Sequence, residues 1–151
     1  MGLDERAIRE VHAAWIEAVN AGDLGRLLTL MADDVVFLNP GQAPGGREGF
    51  SAGFSAAHRR ARINCVSELE EVVVVGEVAY TVSRDALTVI PRAAPTGSGQ
   101  AHSTGSGQAG GRAARLAGHR LTVYRKQSDG RWLLARDAHT LSAVEGDTDS
   151  I

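Results

Sequence analysis

The side chains best suited to proton transfer in this sequence are Asp137 and His139, which lie two residues apart near the end of the chain. They belong to a segment, residues 118–141, in which two alternating runs flank a Ser-Asp-Gly turn, a pattern typical of an antiparallel hairpin. Because side chains two apart leave a strand on the same face, the carboxylate and the imidazole share a face. If that face lines a cavity, His139 is a candidate general acid–base and Asp137 is a candidate orienting group.

The sequence does not decide whether this face points inward. Apolar residues occupy both faces of the second run of the hairpin, and a polar outer face would produce the same alternation. His119 and Asp85, on the two preceding strands, are further polar candidates for the same cavity. A hydrogen-bonded structural role is the alternative for both residues.

Three helices precede these strands. Apolar spacing predicts a helix over residues 4–20, which Gly22 ends, a second helix over residues 24–31 and a third over residues 47–58. A turn at Asp33-Asp34 leads into a short strand at residues 35–38, which Asn39-Pro40 terminates.

The pattern then changes to strands at residues 62–75 and 78–90, followed by the hairpin. Helices grouped before strands favour an α+β fold with an antiparallel sheet. A long helix laid across a strongly bent sheet would form a cone with an apolar interior. We expect this interior to be lined or filled by Trp15, Val19, Phe37, Phe50 and Phe54. Core packing and a hydrophobic ligand pocket both fit these residues.

Length and composition predict a single domain spanning residues 1–151. The net charge of −2 gives no electrostatic reason to expect nucleic acid or an anionic membrane as a partner. The single cysteine, Cys65, excludes an intramolecular disulfide and a multi-cysteine metal site, and we expect neither metal nor cofactor. The N-terminus carries charge where a signal peptide is apolar, and no run reaches transmembrane length, so we expect a soluble cytoplasmic protein.

Residues 92–114 differ in composition from the rest of the chain. The hexamer TGSGQA occurs at residues 96–101 and again at 104–109, and such a Gly/Ser-rich repeat predicts a flexible loop. A loose tail is expected after residue 142. The GxGxxG match at residues 105–110 lacks a preceding strand and a following helix, so it does not predict a dinucleotide site.

Three stretches of the chain together carry a family resemblance. They are WIEAVNAGDLGRLLTLMADDVVFLNPG (residues 15–41), GREGF (46–50) and LTVYRKQSDGRWLLARDAHTL (121–141). They resemble the nuclear transport factor 2-like superfamily, and within it the SnoaL-like small bacterial proteins, including those encoded in enediyne polyketide clusters. The resemblance implies a cone-shaped, curved antiparallel sheet wrapped around three N-terminal helices. It also implies a homodimer packed through the outer sheet face and a ligand pocket at the open end.

The same resemblance argues against ketosteroid isomerase chemistry. The carboxylate base that this activity needs before the Pro of the first strand falls on Asn39, and an amide cannot take a proton at neutral pH. The helix-one Tyr falls on Trp15, and the second, protonated Asp falls near Gly118. The sequence therefore lacks all three residues that the resemblance would require for ketosteroid isomerase activity.

Two functional hypotheses remain. The first is a cofactor-free cyclase, isomerase or dehydratase acting on a hydrophobic, polyketide-derived molecule. In it Asn39 orients a substrate carbonyl, His139 moves a proton and Asp137 fixes the imidazole tautomer. The second is a non-catalytic, dimeric accessory or ligand-binding protein that steers a biosynthetic enzyme. The sequence leaves both open.

Overall fold

A computed structural model of the chain describes residues 2–92 and 112–144. Most of the loop predicted at residues 92–114, and nearly all of the tail predicted after residue 142, lie outside this part. Within it, no helix combines the length and the apolar character that crossing a bilayer would require.

The three helices are α1 (Leu3–Ala21), α2 (Leu24–Thr29) and α3 (Arg47–Arg60). Gly22 ends α1 in the left-handed region at φ 70°, as predicted, and Asp23 caps α2 by accepting the Arg26 N–H. A Cβ at Gly22 would be strained and would lie 3.1 Å from the His58 ring. This tight corner therefore brings the C-terminus of α1 against the C-terminal part of α3.

Of the six described strands, the first lies between α2 and α3 and the other five follow α3. They are β1 (Met31–Leu38), β2 (Ala61–Val75), β3 (Val78–Pro91), β4 (Ala114–Lys126), β5 (Trp132–His139) and β6 (Ser142–Ala143). The sheet order is β1-β5-β4-β3-β2, with the short β6 paired to β4. All pairs are antiparallel except β1 with β5, so the sheet is mixed. The sequence predicted an antiparallel sheet and missed this parallel pair. Three other strands lie between β1 and β5 along the chain, so no local pattern indicates that the two pair.

The predicted turn at Asp33-Asp34 is wrong. Both residues lie within β1, where pairing with β5 is irregular between Met31 and Val36. Similar irregularities interrupt β2 between Leu69 and Glu71 and β4 between Val123 and Tyr124. Because such bulges bend a strand and increase its twist, they account for the curvature of the sheet around α1. The α+β fold with helices against a curved sheet is confirmed.

The free edge of β2 is covered by α1. The Asn20 amide donates to the Cys65 carbonyl at 3.0 Å, and its oxygen accepts the Cys65 N–H at 2.6 Å. These two bonds satisfy backbone groups that an edge strand would otherwise leave unpaired. They also fix the C-terminal half of α1 over the inner face of the sheet, which positions Trp15 and Val19.

Candidate functional site

A cavity of about 200 Å³ lies between α1, α3 and the inner face of the sheet. All five apolar residues predicted for the interior line it: Trp15, Val19, Phe37, Phe50 and Phe54. That a ligand occupies this space stays a prediction.

Four of these residues form a continuous aromatic wall: Trp15, Phe37, Phe50 and Phe54. The Phe37 and Phe50 rings stack at 4.7 Å between centroids, and Phe50 and Phe54 stack at 5.6 Å. Trp15 tilts against Phe50 at 5.7 Å. Offset and tilted pairs of this kind favour planar apolar partners, so the wall suits an aromatic or polyene ligand.

The sheet also contributes a polar floor of three charged residues to the cavity: Asp85 on β3, Arg120 on β4 and Asp137 on β5. The two carboxylate side chains are almost fully buried, with exposed fractions of 0% and 3%. Arg120 Nε donates to Asp85 Oδ2 at 2.8 Å, and Nη1 donates to Asp137 Oδ2. The guanidinium therefore bridges carboxylates from the two neighbouring strands.

Hydroxyl groups complete the bonding of both carboxylates. Ser67 and Ser83 donate to Asp85 Oδ1 at 2.6 Å and 2.8 Å, and Thr122 donates to Asp137 Oδ1 at 2.7 Å. Burial by itself raises the pKa of Asp85, but the hydrogen bonds from Ser67 and Arg120 outweigh it, so this pKa is lowered. Asp85 is therefore ionised at neutral pH.

Arg120 stays charged despite its burial. Desolvation lowers its pKa, but the negative charges of Asp137 and Asp85 and the bond to Asp85 raise it by more. One charged guanidinium therefore faces two buried carboxyl groups.

His139 lines the cavity beside this floor. Its Nδ1 accepts the Leu141 backbone N–H at 3.1 Å, so the neutral ring carries its proton on Nε2. Burial and the charge of Arg120 lower the pKa of His139, so the ring is neutral at pH 7. His139 thus offers an N–H donor with a fixed tautomer.

The predicted contact between Asp137 and His139 needs a correction. The two residues share a face, but the Asp137 oxygens bond to Arg120 and Thr122, and the Leu141 backbone fixes the imidazole tautomer. The correction concerns the bonding partners of the two side chains and not their shared face, since Asp137 and His139 both line the cavity.

The remaining predicted residues are divided between the cavity and the surface. Asn39 lines the cavity just beyond the end of β1. The structure places His119 outside the cavity, contrary to the prediction, with its Nε2 3.5 Å from Glu70 Oε1 and its side chain 58% exposed. Because it directly precedes Arg120, His119 necessarily faces the opposite side of β4.

Sequence reasoning missed Arg120 as a site residue. A usable signal was present: polar residues alternate along β3 at Thr81, Ser83 and Asp85, and along β4 at Arg120 and Thr122. Polar alternation on strands that are neighbours in a sheet indicates one shared polar surface.

Neither a reactive thiol nor a metal-binding cluster is found at the site. Cys65 also lines the cavity, and burial raises its pKa to about 11, so the thiol is protonated at neutral pH. Over residues 2–92 and 112–144, no three His, Cys, Asp or Glu side chains are grouped so as to hold a metal ion.

Comparison with known proteins adds a family and several similar structures. The family model described as the SnoaL-like domain matches residues 12–135. A search of curated proteins gives no match. A conserved protein from Planctomyces limnophilus DSM 3776 is 37% identical over 93% of this chain and 98% of its own, with a TM-score of 0.80.

Two more distant structures share the fold. A ketosteroid isomerase-like protein from Erwinia carotovora atroseptica SCRI1043 is 20% identical over 93% of this chain and 98% of its own, with a TM-score of 0.75. The hexachlorocyclohexane dehydrochlorinase LinA-type3 from Novosphingobium barchaimii LL02 is 15% identical over 95% and 91%, with a TM-score of 0.71. At these identities the likeness concerns the fold alone.

Proposed function

The chain belongs to the SnoaL-like domain family, and we propose that it binds a small, largely apolar molecule and catalyses a proton transfer on it without a cofactor. The reaction class is an isomerisation, a cyclisation or a dehydration. One observation carries the proposal: a carboxylate–guanidinium–carboxylate floor and a neutral histidine of fixed tautomer share one cavity with an aromatic wall.

The volume of the cavity limits the size of the ligand. An apolar cavity of about 150 Å³ holds benzene, whereas drug-sized ligands occupy roughly 300–1,000 Å³. A cavity of about 200 Å³ therefore suits a molecule of one ring or two fused rings. A polyketide-derived ligand, including one from enediyne biosynthesis, fits the proposal only within this size.

Asp137 is the group we assign as proton acceptor. Each of its oxygens accepts one hydrogen bond from the protein, whereas Asp85 accepts three such bonds in all. Asp137 therefore keeps lone pairs for a substrate proton on both oxygens. The lowered pKa of Asp85 makes that carboxylate a weak base.

His139 is the group we assign to the substrate oxygen. As proton abstraction moves negative charge onto a carbonyl or hydroxyl oxygen, the Nε2–H stabilises that charge, and the apolar wall strengthens the interaction by keeping water out. Asn39 supplies an amide that orients the same oxygen. The base thus comes from β5, so this arrangement differs from the ketosteroid isomerase one discussed above, in which it precedes the Pro after β1.

Turnover of small probes tests the proposal. The probes are 3-cyclohexen-1-one, whose double bond can shift into conjugation, and a one-ring β-hydroxyketone that can lose water. D137N should lower the rate by about 10²–10⁴, because it removes the proton acceptor. H139Q should lower it without unfolding the protein, and H119Q, on the outer face, is the matched control. No turnover of either probe, or full activity in both D137N and H139Q, contradicts the proposal.

A non-catalytic binding role is the second candidate. It is favoured by the observation that the protein's own donors already bond every carboxylate oxygen of the polar floor. In that case 2-naphthol, a two-ring probe, should bind with an affinity that F50A weakens, while neither ketone is turned over. Calorimetry together with the turnover assay separates the two functions.

We also propose that the protein forms a homodimer through the outer face of its sheet, with a biosynthetic enzyme as the alternative partner of this face. Cross-strand pairs join Val82 to Leu121, Leu121 to Ala138 and Ala138 to Leu38 in one apolar row across four strands. Leu121 and Leu38 are each 45% exposed. A continuous apolar row of this kind favours a protein partner over bulk water. Sedimentation of the wild-type protein as a monomer at micromolar concentration contradicts the dimer.

A further inference from the structure

We propose that His12, Ser67 and Asp85 form a relay that carries a proton from a groove beside α1 to the polar floor of the cavity. The inference rests on the proposed proton-transfer function. It adds a route by which a solvent proton reaches the cavity, which Asp137, His139 and Asn39 do not provide. Asp137 receives the proton that leaves the substrate, and Asp85 supplies the proton that arrives.

The relay begins outside the cavity. A groove of about 640 Å³ runs along α1 and β2, and both His12 and Ser67 line it. Neither of these two residues lines the cavity, whereas Asp85 does. His12 Nε2 lies 2.9 Å from Ser67 Oγ, and Ser67 Oγ lies 2.6 Å from Asp85 Oδ1. Two short hydrogen bonds therefore connect the groove with the floor.

Donor and acceptor chemistry fixes the direction of this chain. The ionised Asp85 carboxylate can only accept, so the Ser67 hydroxyl donates to it. The Ser67 oxygen then accepts from His12, which places the His12 proton on Nε2 and leaves Nδ1 unprotonated. Every hydrogen of the chain points toward the cavity, which is the orientation that inward proton transfer requires.

The transfer balances without any redox partner. A buffer acid or hydronium ion in the groove gives a proton to His12 Nδ1, and the Nε2–H bond breaks as its proton passes to Ser67 Oγ. The former Ser67 hydroxyl proton passes to Asp85 Oδ1. The products are a neutral His12 protonated on Nδ1, an intact Ser67 hydroxyl and a neutral Asp85, which gives its proton to the substrate carbanion. The cycle closes when Asp137 releases its proton to solvent as the product leaves, and when His12 loses its Nδ1 proton to water in the groove and regains one on Nε2.

The surroundings of His12 favour transfer of the incoming proton to Ser67 over its retention on the ring. Burial lowers the pKa of His12, Asp85 opposes this shift and Arg120 adds to it. Glu10, Glu17 and Arg26 line the same groove. A ring that is neutral at pH 7 donates through Nε2 and does not retain the incoming proton.

Ser83 supplies a built-in control. It also donates to Asp85 Oδ1, at 2.8 Å, and its side chain is buried on β3. In the part of the chain that the structure describes, Ser83 makes no hydrogen bond to His12. Removing either hydroxyl takes one hydrogen bond from the same carboxylate oxygen. Only the Ser67 hydroxyl links that oxygen to the groove.

The test follows the hydrogen that 3-cyclohexen-1-one receives at its γ carbon when it isomerises in D₂O. In the wild-type protein the relay delivers solvent deuterium to that carbon. In S67A and H12Q the delivery fails, the proton taken up by Asp137 returns to the substrate, and most of the γ-carbon deuterium is lost. S83A should keep the wild-type deuterium fraction even where its rate falls. Proton NMR of early product measures the fraction independently of the rate.

Each outcome bears on a different claim. No isomerisation by the wild-type protein overturns the proposed function, and the relay with it. Isomerisation with unchanged deuterium in S67A and H12Q overturns the relay alone. Equal losses in S83A and S67A also overturn it, because the effect would then come from the hydrogen bonding of Asp85. If S67A fails to fold, H12Q decides, since its side chain lies at the groove.

Discussion

Each face of the sheet departs from the usual distribution of polarity, the inner face by burying polar groups beside its apolar core and the outer face by exposing apolar side chains. On the inner face Thr81, Ser83, Asp85, Thr122 and Asp137 are buried. On the outer face Leu121 is 45% exposed and Val66 is 63% exposed. An antiparallel sheet with one face in water ordinarily buries its apolar residues and exposes its polar ones.

The buried polar groups of the inner face show where the chain places its specific chemistry. Buried polar groups are costly unless they are hydrogen-bonded, and the charged groups of the inner face are bonded to one another and to hydroxyls. The inner face therefore forms a prearranged site. The outer face carries apolar area that suits a partner surface.

The largest difference between the faces should appear on removing an arginine. R120M leaves two buried carboxylates without their shared cation and should lower the free energy of unfolding by about 3–5 kcal/mol. R84M, on the outer face of β3, removes two solvent-exposed ion pairs, with Glu68 and Glu70, and should cost less than about 1 kcal/mol. Urea denaturation measures both, and equal losses would refute the contrast.

Apolar truncation should show a smaller contrast. F37A removes a ring from the aromatic wall that is 5% exposed and stacks on Phe50, and should cost about 3 kcal/mol. V66A, on the outer face of β2, should change stability by about 0.5 kcal/mol or less. Calorimetric melting compares the two, and a larger loss in V66A would mean that the outer face is buried in the assembly.

A charge on the outer apolar row tests the proposed dimer. L121D places a carboxylate at the centre of the row, and its desolvation cost should shift the protein to monomers while leaving helix and strand content unchanged. N64D, which adds the same charge on an exposed residue of β2 outside the row, should remain a dimer. Sedimentation velocity and circular dichroism report the two properties separately.

The smallest effect concerns pH. The folded-state pKa of His139 is lowered by burial and by Arg120, so the unfolded chain binds the proton more readily. This contribution to stability is complete above the unfolded pKa of about 6.5 and is lost as pH falls through the folded pKa. H139Q should flatten the decline in melting temperature below pH 6.5, with H119Q as the exposed control. An unchanged slope in H139Q would exclude this linkage.

Much of the fold could be predicted because its signals are local. The apolar stripe of α1, the glycine at residue 22 and the hairpin turn each follow from neighbouring residues. The turn predicted at Asp33-Asp34 failed because paired aspartates resemble a turn, whereas here an irregularity of the β1–β5 pairing accommodates them. That pairing joins residues about a hundred positions apart, and no local pattern specifies it.

The sequence by itself determined the order of helices and strands, the aromatic residues of the wall and the shared face of Asp137 and His139. Only the tertiary structure decided that this face points inward, that Arg120 lies between Asp85 and Asp137, and that His12 meets Ser67. The physical reason is the geometry of the strand. A period of two fixes which side chains share a face, but the neighbours across strands, and the side that faces the helices, depend on register and packing.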